Sequence, residues 1–269
     1  MAQGANRQVL LRDVTDRIGT ITLNRPERRN ALDGELVAAL DDALKQMAAD
    51  PTVRVVVLTG AAAEGSHGGF CSGGDVKGAH GPEMELAVPP NALDGDLARH
   101  DTHAAMLLHL MPKPTIAMIG GPAVGAGCSL AAACDLRFAS DDAVFATNFS
   151  PNGLSGDYGG SFFWTRIVGT ATARRLYLLN EKLSADEALA LGMVHAVVPA
   201  AALRDHVMEI AMKLGRTPRA LLALMKDNLN RAEDDAERRQ LLFANEASNQ
   251  QAAGEAMRAR TQPVPEREH

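Results

Sequence analysis

Pro114-Thr115-Ile116-Ala117-Met118-Ile119-Gly120-Gly121-Pro122-Ala123-Val124-Gly125-Ala126-Gly127-Cys128-Ser129-Leu130 is an apolar run, then a glycine cluster, then small apolar residues. The spacing predicts a short strand over 115–119, a tight turn, and an apolar helix over 126–133. Such a turn offers unpaired N–H groups and the positive end of a helix dipole to whatever lies before it. The alternative is close strand–helix packing that needs small residues. Residues 136–139 read as the next strand.

Outward from this stretch the same alternation holds. Residues 9–23 alternate apolar and polar side chains around a turn at 16–19, predicting an antiparallel hairpin. Residues 33–49 place Leu36, Val37, Leu40, Leu44 and Met47 on one helical face. The run at 53–59 is β-branched and reads as a buried strand. A layered α/β core follows. Residues 60–96 are rich in glycine and proline and read as loop, and helical spacing resumes over 97–110. Beyond residue 153 the pattern predicts helices alone, at 160–167, 171–179, 184–191, 201–214 and 218–250, the last broken somewhere inside.

The chain has 269 residues, 46% of them hydrophobic, enough for one large core. A net charge of -6 makes nucleic acid an unexpected partner, the only local basic cluster in question being Arg25, Arg28 and Arg29. The three cysteines, Cys71, Cys128 and Cys134, form no metal-binding or disulfide pattern and suit buried thiols in a reducing compartment. The N-terminus lacks an apolar signal region, and no run reaches the length of a membrane span. A cytoplasmic protein that binds no membrane is expected.

A second glycine-rich segment, Phe70-Cys71-Ser72-Gly73-Gly74-Asp75-Val76-Lys77, matches neither a P-loop nor a G-x-G-x-x-G pattern. Paired glycines let a ligand approach the backbone closely and leave amide hydrogens free, although an ordinary turn uses them too. Two amides, one from each turn, would make an oxyanion hole.

With these two turns the chain resembles the crotonase, or enoyl-CoA hydratase/isomerase, superfamily. The resemblance extends to Asn24-Arg25-Pro26 with Asn30-Ala31-Leu32, Cys134-Asp135-Leu136, Ile167-Val168-Gly169, and residues 185–199 around Ala188, Gly192 and Val194. It implies an α/β crotonase fold of repeated ββα units over 1–198 and a C-terminal helical trimerisation region over 199–269. It implies a homotrimer, or a hexamer built as a dimer of trimers. The substrate implied is an acyl-CoA thioester, with no metal and no dissociable cofactor, coenzyme A arriving as part of the substrate. Carried over by position, Gly74 and Ala126 supply the oxyanion-hole amides, and Ser72 and Val76 line the pantetheine channel through backbone contacts. Ala31, Asp75, Ser129 and Phe149 fall among the substrate-contacting positions. Arg28 and Lys77 fall near the nucleotide end of coenzyme A, where basic side chains suit its phosphates; solvated surface charge is the alternative.

Hydratases of this family carry two glutamates, and this sequence has Ser129 at the first position and Phe149 at or beside the second. It offers instead Asp157, in Gly153-Leu154-Ser155-Gly156-Asp157-Tyr158-Gly159-Gly160, at a position where isomerases and dehalogenases of the family carry a catalytic aspartate. Capping of the helix at 160–167 is the other reading of Asp157. A lone carboxylate among Phe149, Phe162 and Trp164 would be poised to shuttle one proton between carbons. Enoyl-CoA hydration is the commonest family activity, while Asp157 favours isomerisation. Hydrolysis or dehalogenation using His103 or His109, and a silent acyl-CoA-binding trimer, are the alternatives. His67 and His80 fall in the long loop, and Tyr158 is a possible phenolic donor.

Overall fold

The hairpin at the start of the chain closes through Asp16 and Arg17, both with positive φ, so that the turn matches the twist of its strands. In this computed structural model, which describes residues 8–65, 68–75, 103–152 and 156–232, the hairpin strands are β1 (Leu10–Thr15) and β2 (Ile18–Leu23). Leu10 stands opposite Leu23 and Thr15 opposite Ile18. Gly19 therefore lies inside β2 and not in the turn.

Asp33 caps α1 (Gly34–Ala49) by accepting the Leu36 N–H at 2.9 Å. The helix buries Leu36, Leu40, Ala43, Leu44 and Met47. Each leucine hidden in this way is worth about 1.5–3 kcal/mol, an upper value because the unfolded chain already hides part of it. A crossover then delivers β3 (Val55–Gly60), parallel to β2 and buried throughout. After α2 (His103–Leu110), β4 (Thr115–Ile119) pairs parallel to β3.

The chain continues through β5 (Ala123–Val124), α3 (Ala126–Ala133), β6 (Leu136–Ser140) and β7 (Val144–Ala146). It then runs through α4 (Gly160–Ile167), α5 (Gly169–Leu179), β8 (Lys182–Ser184), α6 (Ala185–Ala190), β9 (Ala196–Val198), α7 (Leu203–Gly215) and α8 (Arg219–Ala232). The main sheet has the order β1-β2-β3-β4-β6-β9, parallel except at the β1 edge, and a small sheet has the order β5-β7-β8.

Alternation along β3 splits the core into two layers. Val56 and Leu58 face α1 and α3, while Val55 and Val57 join Ile18, Ile116, Met118 and Phe138 beneath Leu203, Val207 and Ala211 of α7. α8 is tied down by Lys226, whose Nζ donates to Leu108 O at 2.7 Å, Lys113 O at 3.1 Å and Asp135 Oδ2 at 2.8 Å. Asp135 also accepts the Thr115 N–H at 2.7 Å, fixing where β4 begins. No helix among the described residues is long and apolar enough to cross a membrane.

The expectation of helices alone beyond residue 153 is wrong in two places. β8 and β9 are strands of three residues each, too short for periodicity to register. β9 exists because β6 offers it a parallel edge, Phe138 standing opposite Ala196. Helix α5 starts at Gly169, two residues earlier than the pattern predicts, and helix α6 starts behind a capping box of Ser184 and Glu187. The predicted segments at 76–102 and 233–250 lie outside the described residues.

Candidate active site

The segment Cys71–Asp75 is gripped from both sides. Cys71 pairs with β5, donating to Pro122 O at 3.1 Å and accepting from Val124 N at 3.0 Å. Opposite, Leu32 donates to Gly73 O and accepts from Asp75 N, both at 2.8 Å. In a parallel pairing of this kind the residue between the two bonds turns its own N–H away from the partner. The Gly74 N–H therefore points away from Leu32, on the side where the segment borders β5 and the start of α3.

Gly73 has φ +94, and a Cβ built on it would stand 2.9 Å from Val124 O and 3.5 Å from Ala126 N. Its neighbour across the gap, Gly125, is the N-cap of α3 with φ +55 and no capping side chain. Only glycine takes both conformations without strain while bringing two main chains this close. Ala126 is the first residue of α3, so its N–H has no acceptor within the helix. The amides of Gly74 and Ala126 are both uncommitted among the described residues, and they belong to turns in direct contact.

A cluster of charges holds the first turn. Asp75 receives Arg28 Nη2 at 2.8 Å and Arg25 Nη2 at 3.2 Å, and Arg25 also reaches Asp33 at 2.8 Å. Hydrogen bonding from Arg28 holds the Asp75 carboxyl below its ordinary pKa, and the same bond raises that of Arg28. Arg25 further donates to Ala31 O at 2.5 Å, while the Asn30 side chain accepts from Arg25 N and donates to Ala61 O. Asn30, Ala31 and Leu32 thus form the wall behind the Gly73-Gly74 turn. Two of the three arginines considered as a basic patch are spent on Asp33 and Asp75, and Arg28 is an ion-pair partner as well as a surface charge.

Ser129 lies one turn into α3, fully buried, with Oγ directed back at Gly125 O at 3.4 Å. The edge of the Phe149 ring comes within 4.0 Å of a Cβ placed on Gly125. Asp157 differs from expectation in two ways. It does not cap α4: the N-cap is Gly159 in the left-handed region, and Asp157 Oδ1 accepts the Tyr158 N–H at 2.8 Å instead. It is also exposed rather than enclosed by Phe149, Phe162 and Trp164. Trp164 is fully buried, and Phe162 carries the Arg166 guanidinium over its ring at 3.5 Å.

Residues 13–261 match the enoyl-CoA hydratase/isomerase family. The chain belongs to that family. It is 36% identical to 1,2-epoxyphenylacetyl-CoA isomerase of Escherichia coli K12 over 84% of this chain and 83% of the relative. It is 32% identical to a 4-chlorobenzoyl coenzyme A dehalogenase of an Arthrobacter species, over 82% of this chain and 77% of the relative. The solved structure of an enoyl-CoA hydratase from Mycobacterium smegmatis superimposes with a TM-score of 0.76 at 33% identity, covering 92% of this chain and 91% of that one. The architecture is accordingly the crotonase fold. Enzymes of the enoyl-CoA hydratase/isomerase family thus share this frame under the names isomerase, dehalogenase and hydratase, so membership leaves the reaction to the side chains around the turns.

Within this family member, the described residues include no group of three or more His, Cys, Asp or Glu side chains able to hold a metal ion. His109 packs edge-on against Phe162 and Phe163, with ring centroids 6.2 and 5.2 Å away. Val76, Lys77, His67 and His80, with the side chain of His103, lie outside the described residues. The contacts of two residues escaped the sequence reading. Arg25 was read within a motif and a basic cluster, and residue order does not reveal its pairing with Asp33 and Asp75. Tyr177 stacks on Phe149 with ring centroids 5.7 Å apart, and a Tyr on the inward face of α5 was the only signal of it.

Proposed function

We propose that this chain binds an acyl-CoA thioester, holds its carbonyl oxygen on the amides of Gly74 and Ala126, and isomerises the acyl group through an enolate. The observation that carries the reading is the pair of uncommitted amides on touching turns, one of them at the positive end of α3. Each such donor is worth about 2.7–4 kcal/mol to the barrier when negative charge gathers on the oxygen.

Asp157 is assigned the proton transfer. Its carboxylate removes a proton from the carbon next to the thioester, the electron pair moves into the enolate, and the resulting acid returns the proton further along the acyl chain. Hydration by paired glutamates has no counterpart at Ser129 and Phe149, which is why isomerisation is preferred. The reaction calls for no dissociable cofactor, since coenzyme A arrives with the substrate. Arg28, Lys77, Ser72 and Val76 are assigned to coenzyme A. Cytoplasmic location fits three buried thiols. Assembly as a trimer, or a dimer of trimers, is supported by the exposed stripe Leu221, Met225 and Leu229 along α8.

The test is a panel of enoyl-CoA thioesters in deuterated water, with products and C2 deuteration read by mass spectrometry. Double-bond migration with deuterium at C2, abolished in Asp157→Asn, is the expected result. Turnover that survives Asp157→Asn removes Asp157 from the mechanism. Fast hydration of a short 2-enoyl-CoA by the parent protein would overturn the preference for isomerisation.

A further inference from the structure

Arg25 Nη2 lies 2.8 Å from Asp33 Oδ2 and 3.2 Å from Asp75 Oδ2, and Nη1 donates to Ala31 O at 2.5 Å. Its backbone N–H donates to Asn30 Oδ1 at 2.9 Å. The three acceptors of the guanidinium come from three pieces of structure: the N-cap of α1, the residue before Leu32, and the residue after Gly74. The Arg25 side chain is 14% exposed and that of Asp75 13% exposed, so their pairing is screened much less than an ion pair at the surface.

These ties converge on the amide of Gly74. Leu32 donates to Gly73 O and accepts from Asp75 N, and Gly74 lies between the two bonds. Arg25 fixes the residues that flank this pairing on either side, Ala31 through its carbonyl and Asp75 through its carboxylate. The direction of the Gly74 N–H is therefore set by a short ladder whose outer ends are clamped by one planar fork. Asp33 supplies the anchor, because its Oδ1 accepts the Leu36 N–H and so fixes the carboxylate to the first turn of α1. Arg28 also binds Asp75, but its side chain is 39% exposed and is assigned above to coenzyme A, whose phosphates would compete with Asp75 for it. The bond from Arg25 survives that exchange.

We propose that Arg25 is a positioning residue for the oxyanion hole: its fork, braced on Asp33, sets the angle at which the Gly74 amide meets the thioester oxygen. The inference rests on the enolate reading given above. It adds the residue that fixes the geometry of one of the two donors. A lysine at this position keeps the charge on a compact ammonium, without the planar spread that lets Arg25 hold Ala31 O and the two carboxylates together. A reacting group misplaced by about 1 Å costs about 10²-fold in rate, even when the cause lies away from the chemistry.

The experiment measures C2 deuterium exchange of butyryl-CoA by mass spectrometry, with kcat and KM separated, in the parent protein, in Arg25→Lys, in Asp33→Ser and in the double variant. Thermal unfolding and coenzyme A affinity are followed alongside. Asp33→Ser keeps an oxygen able to cap α1 and removes the carboxylate that braces Arg25. Each single variant is expected to lower kcat for exchange about tenfold to hundredfold, with KM and coenzyme A affinity preserved. The double variant should be no slower than Arg25→Lys alone, because both changes act through one network. Exchange at the parent rate in folded Arg25→Lys overturns the proposal, and so does a loss confined to KM or losses that add in full. If Arg25→Lys does not fold, Asp33→Ser carries the test, and exchange at the parent rate there overturns the proposal. A parent protein that binds butyryl-CoA yet exchanges no deuterium overturns the enolate reading itself, a result distinct from all of these.

Discussion

Replacing Ala126 by proline removes one hydrogen-bond donor from the paired turns without removing a side chain. The geometry around it makes the variant informative. Ala126 is the first residue of α3, the position where proline costs a helix least, because that N–H has no partner inside the helix. The residue before a proline must be extended, and Gly125, at φ 55 and ψ -124, holds the mirror image of that conformation, which glycine adopts freely. Gly73 presents no Cβ toward Ala126 N. The folding cost is therefore small, while loss of one oxyanion donor costs about 2.7–4 kcal/mol, or about 10²–10³ in rate. The assay is C2 deuterium exchange of a bound acyl-CoA thioester, with thermal unfolding followed in parallel and coenzyme A affinity measured separately. The expected result is exchange slowed by that factor with melting temperature and coenzyme A affinity preserved. Exchange at the parent rate in a folded Ala126→Pro protein refutes the assignment of this amide to the oxygen.

The clamp on the first turn predicts a pH dependence of stability. Folding lowers the Asp75 pKa, so its contribution is complete above the unfolded value of about 3.9 and is lost as pH falls through the folded value. Urea unfolding between neutral pH and pH 3 should show parent stability falling more steeply below about pH 4 than that of Asp75→Asn; parallel curves would mean the ion pairs with Arg25 and Arg28 do not form in solution. The cysteines give a separate check on packing. Burial pushes the thiols of Cys71, Cys128 and Cys134 up to about 12, so iodoacetamide at neutral pH should label none in the native protein and all three after unfolding in urea. Rapid native labelling of any one would place it at an accessible surface instead.

The elements that could be read in the sequence are those whose pattern is local. Strand β4 and helix α3 match their predicted limits because an apolar run, a glycine cluster and a small-residue helix follow one another without interruption. Helix α1 was legible from its apolar stripe, whereas Asp33, read as the first residue of the helix, proved to be its N-cap. Strands β8 and β9 were not, since three residues carry no period and their existence depends on edges supplied by β7 and β6. The capping role offered for Asp157 failed because Tyr158 and Gly159 turn through positive φ before α4 begins, a conformation that residue order does not reveal. The two glycine turns were found as separate motifs, but only the fold shows that Gly73 and Ala126 touch. Tyr177 was illegible because its neighbours Ser129, Phe149 and Gly160 are brought to it by three other parts of the chain.

Every residue of α3 is buried, and every one except Ser129 and Leu130 is alanine, glycine or cysteine. A helix of this kind has almost no side-chain vocabulary, and what it presents at its first turn is written in the main chain, which nearly any codon change leaves intact. Mutational drift can therefore reach the surrounding positions, such as those of Phe149, Asp157 and Tyr177, without first dismantling the amide at Ala126. A lineage carrying such a helix is free to explore new reactions on an inherited frame, and a saturation scan of α3 should register intolerance to bulk and to unpaired polarity along its length, with the surrounding positions more permissive.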